Sequence, residues 1–238
     1  MRESIKNILR RGRWMLKSAV GKDYFHTTQV RRPVTHLGGR PGSNYGAWAT
    51  FVGTLKRDSV IYSVGVGDDI SFDLALIERI GAVVHAFDPT PASRDWLARQ
   101  HLPAAFIFHP YALGNQDGTT AFFAHKNPEW ISHSVLQASH TTDQAIEVPV
   151  RRLTTLMQML GHDRIDLLKL DIEGAEYDVI GDLIAARIPI GQLLVEFHHR
   201  FDGLHPERTR RAVLALNGAG FRSFHVSPNG EEYSFVNS

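Results

Sequence analysis

The sequence contains no cysteine. That excludes disulfides, thiolate metal centres and a thiol nucleophile, and it agrees with a reducing compartment, so a cytoplasmic location is expected. No apolar run reaches the length of a membrane span, and no signal-peptide core is visible. The net charge is only +1 over 238 residues, which makes no general case for nucleic acid as a partner. Two phosphate-binding patterns are also missing. There is no glycine loop ending in the lysine of an ATP site, and the chain's strongest glycine turn lacks the third glycine of a dinucleotide fingerprint, because Ile70 stands there. Thirteen histidines are many, yet none forms an HxxxH pair, and no resident metal is expected.

What the chain does have is the stretch VIYSVGVGDDISF at residues 60–72. Val60, Ile61, Tyr62 and Val64 suit a buried strand. The strand stops at Gly65-Val66-Gly67, and Asp68, Asp69 and Ser71 then supply helix-start chemistry. Phe72, Leu76 and Ile80 recur at the spacing of a buried helix stripe. The next apolar run, residues 82–87, ends in Asp88, about twenty residues beyond the glycine turn, where an acid can accept hydrogen bonds from ribose hydroxyls. A tight turn and a ribose-spaced acid without phosphate machinery favour S-adenosylmethionine over NAD or ATP.

The rest of the chain divides at residue 44. Residues 1–22 hold seven Lys or Arg against Glu3, with an imperfect apolar stripe of Ile5, Ile8, Leu9, Leu16, Ala19 and Val20 interrupted by Gly12. A basic amphipathic helix of this kind suits peripheral contact with an anionic membrane, while packing on its own domain is the competing reading. A mitochondrial presequence also has this pattern, with Glu3 against it. A polar loop follows, so residues 1–44 read as a basic helix and loop extension of a catalytic domain at 45–238. Within that domain, αβ repeats run to about residue 218 and Asn229-Gly230 marks a closing hairpin. The expected fold is α/β and Rossmann-like: a mostly parallel seven-stranded sheet ending in an antiparallel hairpin. Residues 125–144 have no clean period and read as a polar, aromatic-bearing loop on the substrate side.

LLKLDIEGAE, at residues 167–176, resembles the motif of the FkbM family of S-adenosylmethionine-dependent methyltransferases. The GVG turn, HAFDPTP at 85–91, YALG at 111–114 and VEFH at 195–198 follow in register. The resemblance covers residues 45 to the C-terminus and implies methyl transfer to a hydroxyl oxygen, often of a sugar or natural product. It implies a cofactor site of Ser63, Gly65, Gly67, Asp88, Tyr111 and Ala112. Ser63 stands where many such enzymes carry an acid. The first 40 residues match nothing in the family.

In an open αβ sheet, ligands sit beyond the carboxyl ends of the strands. Asp171 and Glu173 are therefore the first candidates for acceptor binding and proton removal, followed by His198. Asp171, Glu196 and His198 could instead hold an oxygen-preferring divalent cation. Lys169, inside an apolar strand, needs a partner. The alternative from another class is a non-catalytic nucleoside-binding protein that works through its basic N-terminal helix.

Overall fold

The computed structural model describes residues 5–40, 46–125, 133–134, 141–201 and 203–237. Helix α1 (Ile5–Ala19) leads into the antiparallel pair β1 (Thr35–Leu37) and β2 (Trp48–Thr50). Next come β3 (Ile61–Val64), α2 (Ser71–Ile80), β4 (Val84–Phe87), α3 (Pro91–Leu97) and β5 (Phe106–His109). A side sheet follows, built from β6 (Ala112–Gly114), β7 (Gly118–His125), β8 (His133–Ser134) and β9 (Thr141–Arg152). The chain then returns through α4 (Leu153–Leu160), β10 (Ile165–Leu170), α5 (Glu176–Ala185), β11 (Ile190–Glu196), α6 (Pro206–Gly218), β12 (Phe221–Val226) and β13 (Glu232–Asn237).

The main sheet has seven strands in the order β12-β13-β11-β10-β3-β4-β5. β13 runs antiparallel between β12 and β11, and the other pairings along β11, β10, β3, β4 and β5 are parallel. This is the architecture expected from the sequence. Both faces are covered, which is why its strands read as nearly unbroken apolar runs. Successive side chains point to opposite faces. Tyr62, Leu168 and Leu193 pack with α4, α5 and α6, whereas Ile61, Leu167 and Leu194 pack with Trp48, Phe72 and Leu76.

Helix α1 runs through Gly12; one glycine in a helix costs only about 1 kcal/mol. One local expectation needs correction: residues 125–144 are not simply a loop. Strand β9 begins at Thr141 and pairs with β7, and β8 pairs with β7 at Phe123 and Ala124. The segments 126–132 and 135–140 lie outside the described residues. The N-terminal segment is stitched to the domain across the division at residue 44. Gln29 and Val30 donate backbone N–H groups to the Ser223 carbonyl, and β1 pairs with β2. No helix among the described residues is long and apolar enough to cross a membrane.

Candidate active site

The strands β3, β4 and β5 build the sheet outward in one direction; the chain then crosses back to lay β10 on the other side of β3. The crevice of such a sheet opens where the order reverses, at the carboxyl ends of β3 and β10. The glycine turn and the DIEGAE segment meet there. Gly65 adopts φ +90, and a Cβ at this position would overlap the carbonyl oxygen of Asp171. Its N–H donates to the Phe87 carbonyl at 2.9 Å, and Asp171 N–H donates to the Val64 carbonyl at 3.1 Å. Gly67 is also left-handed, at φ +56, but nothing lies within 4 Å of where its Cβ would stand. One glycine is required by the protein's own packing; the other faces open space.

Asp88 lies against this turn. Its Oδ2 accepts the Val66 and Gly67 N–H groups at 3.0 and 3.1 Å, and its Oδ1 accepts the Thr90 N–H and hydroxyl at 2.9 and 2.6 Å. The four acceptor positions of the carboxylate are thus engaged by the chain itself, and Asp88 shapes the turn as well as standing at ribose distance along the sequence. Thr90 in turn caps α3, accepting Ser93 N–H, with Pro91 in the first turn.

The other expected cofactor residues are distributed differently. Ser63 is buried below the turn, opposite Lys169 on β10 and with Asp73 of α2 nearby. Burial raises the Asp73 carboxyl above its ordinary value, with Lys169 pulling it down. The Lys169 ammonium donates to the Gly65 carbonyl at 2.6 Å and lies 3.7 Å from Asp171 Oδ2, which supplies the partner that an apolar strand could not. Trp48 packs on Phe72 and under Lys169. Ala112 is buried in β6, and Tyr111 precedes it with Arg151 over its ring.

Asp171, Glu173 and His198 do come together. Beyond β10 the chain turns sharply, with Glu173 at φ +53, a left-handed conformation that is uncommon for a side-chain-bearing residue. This turn aims the Ile172 and Gly174 N–H groups at Glu176 Oε1, at 3.2 and 3.1 Å. The same oxygen lies 2.7 Å from His198 Nδ1. Glu176 is wholly buried and fixes the imidazole so that Nε2 faces Asp171 Oδ1 and Glu173 Oε2, both at 3.7 Å. Burial would pull the His198 pKa down, but the Glu176 charge and hydrogen bond, then Glu173 and Glu196, hold it well above the ordinary histidine value. Glu176, the last residue of the DIEGAE motif, carries no signal of this role along the chain, since an acid in a first helical turn has an ordinary explanation.

Glu196 ends β11 and lies opposite Glu232 of β13. Burial, then Asp171, raises Glu196 well above its usual range. Burial, then Asp171 and Glu231, pushes Glu232 up to about 7. Glu232 had no sequence signal, since it reaches the rim only because β13 inserts next to β11. Asp171, Glu196 and His198 offer ligand atoms within 4.8 Å of one another, so among the described residues they are the set able to hold a divalent cation.

These raised acids have a consequence for stability. Ionising them opposes folding; for Glu232 the contribution is intact below the ordinary value of 4.5 and is lost as the pH rises through about 7. Raised His198 acts in the same direction at higher pH. Thermal melts of the ligand-free protein should therefore show Glu232→Gln gaining up to about 2 kcal/mol on wild type between about pH 5 and pH 8. A difference that does not change with pH would mean that Glu232 is solvated, not crowded among acids.

The family sequence profile described as the methyltransferase FkbM domain matches residues 57–223. The protein belongs to the FkbM methyltransferase family. Among curated proteins, it is 30% identical over 176 residues to the probable methyltransferase-like protein 24 of Homo sapiens, covering 69% of this chain. The Rattus norvegicus protein of the same name is 30% identical over 177 residues. The chain spans 42% of the length of each of these two relatives. Among solved structures, the Methanococcus jannaschii fibrillarin pre-rRNA processing protein aligns with a TM-score of 0.42 and 14% identity, over 76% of this chain and 67% of that one. The FkbM match takes in the glycine turn, Asp88, the DIEGAE turn and His198, and stops short of β13 and Glu232.

Proposed function

We propose that this methyltransferase uses S-adenosylmethionine to methylate a hydroxyl oxygen of a small-molecule or glycan acceptor, such as a sugar or natural product. The observation that carries the reading is the meeting of the Gly65 turn with Asp171 at the reversal point of the sheet. The donor set fits the cofactor: open space above Gly67, a turn held by Asp88, and no phosphate-binding lysine. When bound, S-adenosylmethionine supplies a sulfonium methyl group open to in-line displacement. Gly67 lets backbone pass close to it, Gly65 lets the turn close on Asp171, and Asp88 keeps the turn in shape. The acceptor hydroxyl must lose its proton as it reacts. Asp171 and Glu173, both partly exposed on rigid backbone, are the groups to take it. His198, with Nδ1 on Glu176 and Nε2 facing both carboxylates, is placed to keep Asp171 and Glu173 in position.

Calorimetric titration with S-adenosylmethionine, then assay of S-adenosylhomocysteine release against pooled hydroxyl acceptors, tests the reading. The product should gain the mass of one methylene. Asp88→Ala should weaken cofactor binding by about 1–3 kcal/mol, because it removes the charge-assisted hydrogen bonds that hold the Val66 and Gly67 N–H groups of the turn in place. Tight NADH binding, or cofactor affinity indifferent to Asp88, would overturn the assignment. Binding without turnover on any acceptor would leave the non-catalytic alternative standing.

A further inference from the structure

Helix α1 is attached to the protein by its polar side. A helix advances about 100° per residue, which places Arg11, Trp14 and Ser18 together on one face. That face makes the contacts: the Arg200 guanidinium lies 3.5 Å over the Trp14 ring, Phe25 N–H donates to Ser18 Oγ at 3.1 Å, and Arg11 lies over Phe25. On the opposite face stand Ile5, Leu9 and Leu16, continued by Val20 just past the helix end, with exposures of 77%, 68%, 69% and 61%. No residue of α1 is buried. Lys6, Arg10, Arg13 and Lys17 line one edge of this apolar stripe, and α1 contains no acidic residue. A terminal helix that served only to cover its own domain would turn the stripe inward.

We propose that α1 docks on the anionic face of a lipid bilayer, with Ile5, Leu9, Leu16 and Val20 entering the boundary between headgroups and acyl chains. The bordering cations would meet the anionic headgroups. Charge complementarity selects this occupant. A second copy packed face to face would bring two cationic helices together, and nucleic acid would neutralise the charge while leaving the stripe in water. An anionic lipid surface accommodates both.

The attachment also sets what the membrane would face. Asp23, four residues after α1, pairs with His199 at 2.9 Å and with Arg200 at 3.1 Å, and Arg200 pairs with Glu231 at 2.8 Å. These partners adjoin His198 and Glu232 in the chain, so the helix and the acid rim share one anchor. Docking would hold the acceptor side of the site at the headgroup layer, where a lipid-linked or membrane-resident hydroxyl could reach it. The docking stands apart from the methyl-transfer reading; this last consequence rests on it.

The test is co-sedimentation of the full chain with phosphatidylcholine vesicles, with and without phosphatidylglycerol. Wild type should bind the anionic vesicles, and added salt should weaken that binding about tenfold. The double variant Leu9→Ser, Leu16→Ser should lose at least about tenfold in vesicle affinity, with its thermal melt and calorimetric cofactor binding unchanged. Equal binding to both vesicle types, or a variant that binds like wild type, would overturn the proposal. So would a wild-type dimer that ignores vesicles and becomes a monomer on the same substitutions, since the stripe would then belong to a second copy. Failure to bind S-adenosylmethionine would strike the functional reading and leave the vesicle result standing.

Discussion

Asp171→Asn is expected to lower kcat by about 10²–10⁴-fold while changing S-adenosylmethionine affinity little. The substitution keeps the size of the side chain and removes its basicity. Asp171 follows β10 directly, its backbone N–H is tied to Val64, and its carbonyl packs against Gly65, so its placement does not depend on a wandering loop. Its side chain is 31% exposed, open enough for an acceptor to reach, and both oxygens lie 3.7 Å from a nitrogen, Lys169 Nζ on one side and His198 Nε2 on the other. Glu173→Gln should cost less, because Glu173 comes to the rim from the left-handed turn beyond β10 and Asp171 remains the better-placed carboxylate. Steady-state methyl transfer measured beside calorimetric cofactor binding separates the roles. If both variants turn over normally, proton removal lies with another group. If cofactor binding collapses in a folded Asp171→Asn, the residue is a cofactor ligand.

Gly65→Ala should destabilise the protein by several kcal/mol, whereas Gly67→Ala should cost only about 1–2 kcal/mol in stability. Both glycines are left-handed, so an added Cβ carries a similar backbone penalty at each. The difference is what the methyl would meet: at Gly65 it would overlap the Asp171 carbonyl in the centre of the sheet, and at Gly67 it would meet nothing. The Gly67 methyl would instead stand in the space left for the ligand, so its effect should fall on cofactor affinity, by about tenfold or more. Urea melts and calorimetry on the two variants check this. Equal loss of stability in both would mean that Gly67 is also packed against protein, and unchanged cofactor affinity in Gly67→Ala would move the ligand away from the turn.

Much of this arrangement is legible along the chain because it is local. The strand, glycine turn and helix start at residues 60–72 are contiguous, and each residue type there has a short-range physical reason. The helix stripes and the Asn229-Gly230 hairpin are equally local. Residues 125–144 were less readable, since the strands they contribute belong to a side sheet and lack the apolar alternation of a half-buried one. Glu176 could not be told from an ordinary acid at a helix start, because its role depends on His198, 22 positions away. Glu232 was invisible for a similar reason: its nearness to Glu196 comes from strand insertion across a hairpin.

By itself, the sequence determined the elements of the αβ repeat and its closing hairpin, the fold class and the family, through periodicity, turn chemistry and the DIEGAE motif. The periodicity of residues 5–20 also shows that an apolar stripe exists. Which way that stripe faces was decided only in three dimensions, by Arg200 stacking on Trp14 and Asp23 anchoring the segment beyond the helix. Tertiary structure likewise decided that Gly65 is closed by Asp171 while Gly67 is open, and that Asp88 braces the turn. Its largest contribution was to gather Asp171, Glu173, Glu176, Glu196, His198 and Glu232 onto one rim. The physical reason is common to all of these: a side chain's chemistry depends on the charges and hydrogen bonds within a few ångströms, and sheet order, not chain order, sets which residues lie at that distance.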